Sequence, residues 1–318
     1  MKHLIISEYG TFLGIESNLL AVRNVDDKKL FPLNRLVTIS IAKRGVSISS
    51  DLIESLSYRG IKLFFLDFKS VQYSLLVSAN QHGVVQNRIN QYEYIKNNSI
   101  ILAKKIIEGK IKNQRAVLNY FNKYQKSDYL SLASDKLNNI IKNLDNIHDQ
   151  KELLGNEGIS AKIYFKSLID ARLFTDSFKK REGRGSIEVN NSMLNFGYAI
   201  LSSYILNAII NAGLEPYLGF FHQKRAGKMS LLFDLMEEYR AWIVDRSVIK
   251  LRSQSKKYNI LNKDLKNNLI TEIQRVMAKK YLYKKKRVKL EHIIQRQIYR
   301  LSGEFASLNK YKPYLFKW

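Results

Sequence analysis

The chain has no cysteine and only three prolines. The first absence excludes disulfides, thiolate zinc sites and cysteine nucleophiles together, and it fits a reducing compartment. The second leaves helical segments with little to interrupt them. Long apolar runs are lacking too: no window reaches the roughly 18 uninterrupted apolar residues of a membrane span. The start, MKHLIISEYG, has no apolar stretch leading to a small-residue cleavage site. These absences predict a cytoplasmic chain that does not engage a membrane. Acid is scarce as well, with 53 Lys and Arg against 28 Asp and Glu and a formal net charge of +25. A field of that size favours a polyanion, and nucleic acid is the commonest one in a cytoplasm.

What is present reads as a folded α+β protein, 45% apolar with regular periodicity. Its 318 residues suffice for two domains of unequal size. Residues 1–78 carry strand signals: His3 to Ser7, Thr11 to Glu16, and an alternation at Val37, Ile39 and Ile41 that predicts a half-buried strand. A short helix, Asp51 to Ser57, is capped by Ser49 or Ser50 and ended by Gly60. Ile61 to Phe68 and Tyr73 to Val77 complete a β-sandwich-like platform for dimerisation or a partner. After a linker at 79–86, helical periodicity dominates the larger domain, 87–318, expected to be all α. Helices are predicted at Gln86–Glu108, stopped by Gly109, then Lys112–Gln125, Tyr129–Ile147, Asn191–Ala212, Met229–Leu251, Asn262–Leu282 and Val288–Leu301. The densest basic run, Lys279 to Lys289, reads either as a solvated helix face or as a surface that tracks phosphates.

The chemistry-bearing stretch is Phe220 to Arg246. Asp234 and Glu237 sit three apart, so a helix presents both carboxylates from one face. Ser230 is placed to cap that helix. Two neighbouring acids repel unless a cation lies between them. Upstream, His222 begins a loop that holds Lys224, Arg225 and Lys228. Acids that hold a divalent ion beside bases that hold a phosphate make one reading; an exposed acidic face paired with Arg240 or Lys228 makes the other. One imidazole among carboxylates suits Mg²⁺ or Mn²⁺ better than zinc. Glu157, between Gly155 and Gly158, supplies a third oxygen donor with room for close approach, or else serves a helix N-terminus.

The pairing of NEG-x-S-A-x-x-YF with H-x4-G-K-x-S-L-x-x-D-L-M-E-E-Y-R resembles the CRISPR-associated (Cas) endonuclease/integrase family of spacer acquisition, the Cas protein numbered one. The likeness runs through GKIKNQRAVL at 109–118 and NNSMLNFGYAIL at 190–201, and so covers essentially the whole chain. It implies a metal held by Glu157, His222 and Asp234, with Glu237 as a further acid, and a β domain before a larger helical one. Tyr164, Asn191, Lys224, Arg225 and Lys228 then fall at DNA-contacting positions, with Arg181 and Arg184 as alternative contacts. The implied reaction joins the 3′-hydroxyl of captured double-stranded DNA to a CRISPR repeat as part of antiviral defence. The implied assembly is a homodimer that joins a second dimer through a small ferredoxin-like Cas protein, the one numbered two. Lys228, Met229 and Ala241 depart from the family's usual residues without removing a ligand. A structure-selective nuclease that does not integrate, and a basic DNA-binding scaffold, are the alternatives.

Overall fold

In a computed structural model, all residues are described except 1, 26, 67–71, 80–84, 184, 223–225 and 318, together with the side chains of 2, 72 and 73. The chain divides into two compact units, 1–82 and 83–318. Most of the predicted linker, and the predicted site residues Lys224, Arg225 and Arg184, lie outside the described residues.

The first unit is a sandwich of two four-stranded sheets. One sheet orders β1 (Lys2–Ile6), β5 (Leu36–Ile41), β7 (Lys62–Leu66) and β8 (Gln72–Leu76), with parallel pairs except at β7–β8. The other orders β4 (Lys28–Pro32), β3 (Leu19–Arg23), β2 (Phe12–Glu16) and the short β6 (Ser47–Ile48). Leu13, Leu20, Ile39, Leu63 and the helix residues Leu52 and Leu56 are buried together in one core. That helix, α1 (Ser50–Tyr58), takes Ser49 as its N-cap, and Gly60 follows at φ 65°. β5 is not half-buried as its alternation predicts. Thr38 and Ser40 are as enclosed as Ile39, so both faces of β5 are covered. The Thr38 hydroxyl meets His3 Nδ1 at 2.7 Å, which satisfies it inside.

The second unit is a helical bundle: α2 (Val85–Gln125), α3 (Asp128–Asn143), α4 (Gln150–Asp170), α5 (Val189–Asn211), α6 (Ser230–Met236), α7 (Arg246–Lys250), α8 (Arg252–Ser255), α9 (Lys263–Ala278) and α10 (Leu290–Phe305). α5 is long and apolar enough to cross a membrane, but here it is the buried axis of the bundle.

Three departures from the predicted helices stand out. Gly109 does not end a helix; α2 runs through it and kinks earlier, at Asn98. A Cβ at Gly109 would stand 2.5 Å from Pro313 Cβ, so the glycine serves close packing of the C-terminal segment. The single helix expected from Met229 to Leu251 is broken after α6 and resumes as a π-helical segment, Arg240–Asp245, before α7. Adjacent acids there are drawn to different partners. Glu237 faces Lys110, while Glu238 accepts from the Tyr311 hydroxyl (2.5 Å) and the Tyr314 amide (2.7 Å). Last, the basic run is neither helix nor helix face but a hairpin, β9 (Lys280–Tyr283) and β10 (Lys286–Lys289). Lys284 and Lys285 turn it at φ 46° and 66°.

Candidate metal centre

Asp234 organises the loop in front of α6. One oxygen accepts the amides of Phe220 (2.7 Å) and Phe221 (3.0 Å); the other accepts the His222 amide (2.8 Å) and lies 2.7 Å from His222 Nδ1. The carboxylate is fully buried and its lone pairs are taken. Asp234 is thus a poor candidate for direct ligation, and the resemblance-based reading is corrected on this point: it fixes the ring of His222 and leaves Nε2 as the nitrogen for a ligand. Gly219 permits this arrangement, since a Cβ there would stand 2.5 Å from Asp234 Oδ2 and 2.7 Å from the Ser230 carbonyl carbon. Ser230 does not cap α6 through its side chain. Its hydroxyl donates to Tyr217 O (2.6 Å) and accepts from Gly219 N (2.8 Å), tying down the same loop.

The two acids that converge are Glu157 and Glu237. Glu157 lies inside α4, not at its N-terminus, and no atom would crowd a Cβ at Gly155 or Gly158. The glycines therefore leave open space beside Glu157 and admit no neighbouring backbone. The Lys110 ammonium bridges both acids, at 2.6 Å from Glu237 Oε2, and Arg240 Nε lies 3.1 Å from Glu237 Oε1. Burial alone would depress the Lys110 ammonium, but Glu237 and Glu157 hold it above its ordinary value. Burial would likewise raise Glu237; Arg240 and Lys110 outweigh it, with His222 adding to them, and bring the carboxyl down to about 2. The Gln150 amide donates to Phe221 O (2.6 Å), so the start of α4 is anchored to the His222 loop.

Lys110, Glu157 and Glu237 open on a cleft of about 270 Å³ that Arg181, Arg240, Tyr198 and Asp245 also line. Tyr198 donates to Asp245 at 2.5 Å, and burial pushes the Asp245 carboxyl up to about 6 against the pull of Tyr198 and Arg181. Tyr164 is fully buried, with its hydroxyl next to Asp245 but without a well-aligned hydrogen bond. Asn191 is buried too; its amide accepts from Arg181 (3.1 Å) and the Glu182 amide (2.8 Å) and donates to Lys180 O (3.0 Å). It shapes the 180–183 loop and aims Arg181 at the cleft. Lys228 lies half-buried, its ammonium 5.5 Å from the Phe233 ring.

Among the described residues, no three acidic or imidazole groups stand close enough to hold an ion as they are. The donor chemistry nonetheless fits a divalent cation: two carboxylates already share one positive charge, beside an imidazole whose tautomer a carboxylate sets. Lys110, which pairs with both acids, is the site neighbour that the motifs did not single out. Lys110, Asn113 and Gln114 are buried polar residues on a helix that carries many other charged ones, so nothing in the sequence sets Lys110 apart.

A family model described as "CRISPR associated protein Cas1" matches residues 4–282. The chain is 64% identical over 318 residues, the whole length of both, to the "CRISPR-associated endonuclease Cas1 1" of Francisella tularensis subsp. novicida. It is 30% identical to the protein of that name from Saccharolobus solfataricus, across 99% of this chain and 84% of the relative. Among solved structures it superposes on a Cas1 protein from Thermotoga maritima with TM-score 0.81 at 20% identity, covering 98% of this chain and 100% of that one. A casposase bound to integration product superposes with TM-score 0.83 at 21% identity, over 98% and 93%.

Proposed function

This chain belongs to the Cas1 family of CRISPR-associated proteins, and from that membership we propose that it is a metal-dependent DNA endonuclease and integrase of CRISPR adaptation. The observation that carries the reading is the convergence of Glu157 and Glu237 on one cation beside His222, whose ring Asp234 fixes. Glu157, Glu237 and the Nε2 of His222 would hold Mg²⁺ or Mn²⁺. Bound there, the ion supplies Lewis-acid polarisation of a phosphodiester and neutralises charge on its oxygens.

The protein's own groups do the rest. Arg181 and Arg240 line the cleft and bind the non-bridging oxygens of the scissile phosphate as donors that need no rearrangement. Tyr198, leaning on Asp245 and under both guanidinium groups, holds those arginines in place. A DNA 3′-hydroxyl attacks in line, and the displaced strand leaves with the opposite 3′-oxygen; water in that place gives cleavage instead. The substrate in this reading is double-stranded DNA, and a small Cas2-type partner is in keeping with a structural neighbour described as a Cas6-RT-Cas1–Cas2 complex. Joining at both ends of a repeat calls for a symmetric assembly, with two copies of the chain as its unit.

The test is strand transfer of a 3′-OH duplex into a repeat-containing plasmid, with Mg²⁺, with Mn²⁺ and in chelator. Transfer is expected to need the metal and to vanish in Glu157→Gln and His222→Ala. Undiminished transfer by His222→Ala would sink the assignment, and cleavage without joining would leave the nuclease reading alone.

A further inference from the structure

A second cleft, of about 370 Å³, lies on the adjoining face of the segment that builds the metal centre. Glu237, Ala241 and Asp245 face the first cleft, whereas Trp242, Arg246 and Lys250 face the second. Cations from separate elements converge here: Lys123 of α2, Arg246 of α7, Arg275 and Lys279 at the end of α9, and Arg287 of β10. Among the described residues, no carboxylate lines the cleft. Glu272, outside the lining, is engaged by Arg275 (2.7 Å) and Lys250 (3.5 Å).

Arg246 is the decisive residue. It is 4% exposed, and an arginine so enclosed is ordinarily paired with an acid. Here the guanidinium lies 4.3 Å from the Trp242 ring and 5.4 Å from Tyr120, while Nε donates to Trp242 O (3.1 Å). Phe316 stacks on Trp242 at 5.1 Å and 13°, so the indole that carries Arg246 cannot tip away. The guanidinium edge is therefore fixed and turned into the cleft without an acidic partner. Burial and the surrounding Arg246, Lys250, Arg275 and Arg287 push the Lys279 ammonium below its ordinary value, the mark of positive charge crowded past what the protein neutralises. Tyr124, 71% exposed, stands at the rim next to Lys123.

We propose that this cleft binds the phosphodiester backbone of an unpaired DNA strand, with Arg246 as its buried anchor and Tyr124 as a stacking surface for a base. A fixed guanidinium fork matches a phosphate bidentately, and an exposed ring beside a cationic groove suits an unstacked base. The phosphates of a duplex lie along an outer ridge with the bases held behind them. A lone strand can carry a phosphate down to a nearly enclosed arginine. The inference takes the identity of the polyanion from the DNA-processing reading, and the ligand class from the shape and charge of the cleft.

The experiment measures binding of a fluorescein-labelled unpaired oligonucleotide, and of the matching duplex, by anisotropy across a salt series in chelator. The full chain is compared with Arg246→Gln, with the surface pair Lys279→Glu/Arg287→Glu, which does not disturb the core, and with Glu157→Gln. Both cleft variants are expected to bind the unpaired strand about tenfold or more weakly, with a salt slope shallower by about one per lost phosphate contact. The duplex should weaken far less, and Glu157→Gln, which leaves the second cleft intact, should not show the single-strand-selective loss. Unchanged affinity and slope in both cleft variants, or equal weakening for duplex and single strand, overturns the cleft assignment. A parent chain that binds no DNA overturns the DNA-processing reading itself, a separate and recognisable result.

Discussion

Asp234 grips His222 at two points, its backbone amide at 2.8 Å and its ring Nδ1 at 2.7 Å, through one carboxylate oxygen. The ring's orientation is thereby fixed to the main chain that carries it. Asp234→Asn preserves the shape but puts an amide NH2 where one carboxylate oxygen accepts, so it opposes either the His222 amide or the amides of Phe220 and Phe221, and the loop that carries His222 must shift. Strand transfer and Mn²⁺ affinity are both expected to fall about 10- to 100-fold, the usual cost of losing a group that orients a ligand. Asp234→Ala strands buried amides as well and should lower the melting temperature, at about 1–3 kcal/mol for each unsatisfied donor. Full activity and affinity in Asp234→Asn would show that His222 needs no such support.

Lys110 stands where a divalent ion would be shared by Glu157 and Glu237, and the two cations compete for the same oxygens. Lys110→Met leaves two carboxylates unneutralised in a buried place. The metal-free variant is expected to lose about 3–5 kcal/mol, the cost of removing one partner of a buried ion pair. Mn²⁺ should then raise its melting temperature more than it raises that of the parent. Calorimetry checks the prediction, and equal metal responses in the two proteins would refute it.

The β platform and most helices were legible because their apolar periods match the buried faces, as at Leu52 and Leu56 of α1. Glu157 and His222 were legible as chemical types in a recognised pattern. Lys110 was not, because its meaning depends on which acids a distant helix meets. The break between α6 and the π segment carries no proline or glycine, so no local breaker in the sequence announces it. Strands β3 and β4 were missed although Ser17 and Asn18, at φ 47° and 61°, form a turn of a kind that small polar residues favour. The Lys284–Lys285 turn has no such residue, and its charge concealed it.

The glycines of the site divide into those that admit protein and those that leave room. Gly219→Ala would drive a methyl into Asp234 Oδ2 and the Ser230 backbone. It should cost about 1–3 kcal/mol by overpacking and reduce transfer through His222. Gly158→Ala meets nothing in its α-helix. It should gain up to about 1 kcal/mol from helix propensity. Thermal denaturation ranks the two, and a reversed order would contradict the packing described here.

Asp245 gives the fold a pH dependence of unusual sign. Burial holds its carboxyl up at about 6, above the ordinary 3.8, so the folded state binds the proton more tightly than the unfolded chain does. Stability from this group is fully present below the unfolded value and declines as pH rises through the folded one. The shift corresponds to a penalty of about 3 kcal/mol once the group is ionised. Asp245→Asn keeps the shape and stays neutral, so it should match the parent near pH 4 and exceed its stability from about pH 7 upward. Denaturant titrations at the two pH values measure the difference. A gap that does not grow between them would mean that Arg181, Arg240 and Tyr198 stabilise the ionised carboxylate as well as water does, and that the cleft wall works as a charge pair.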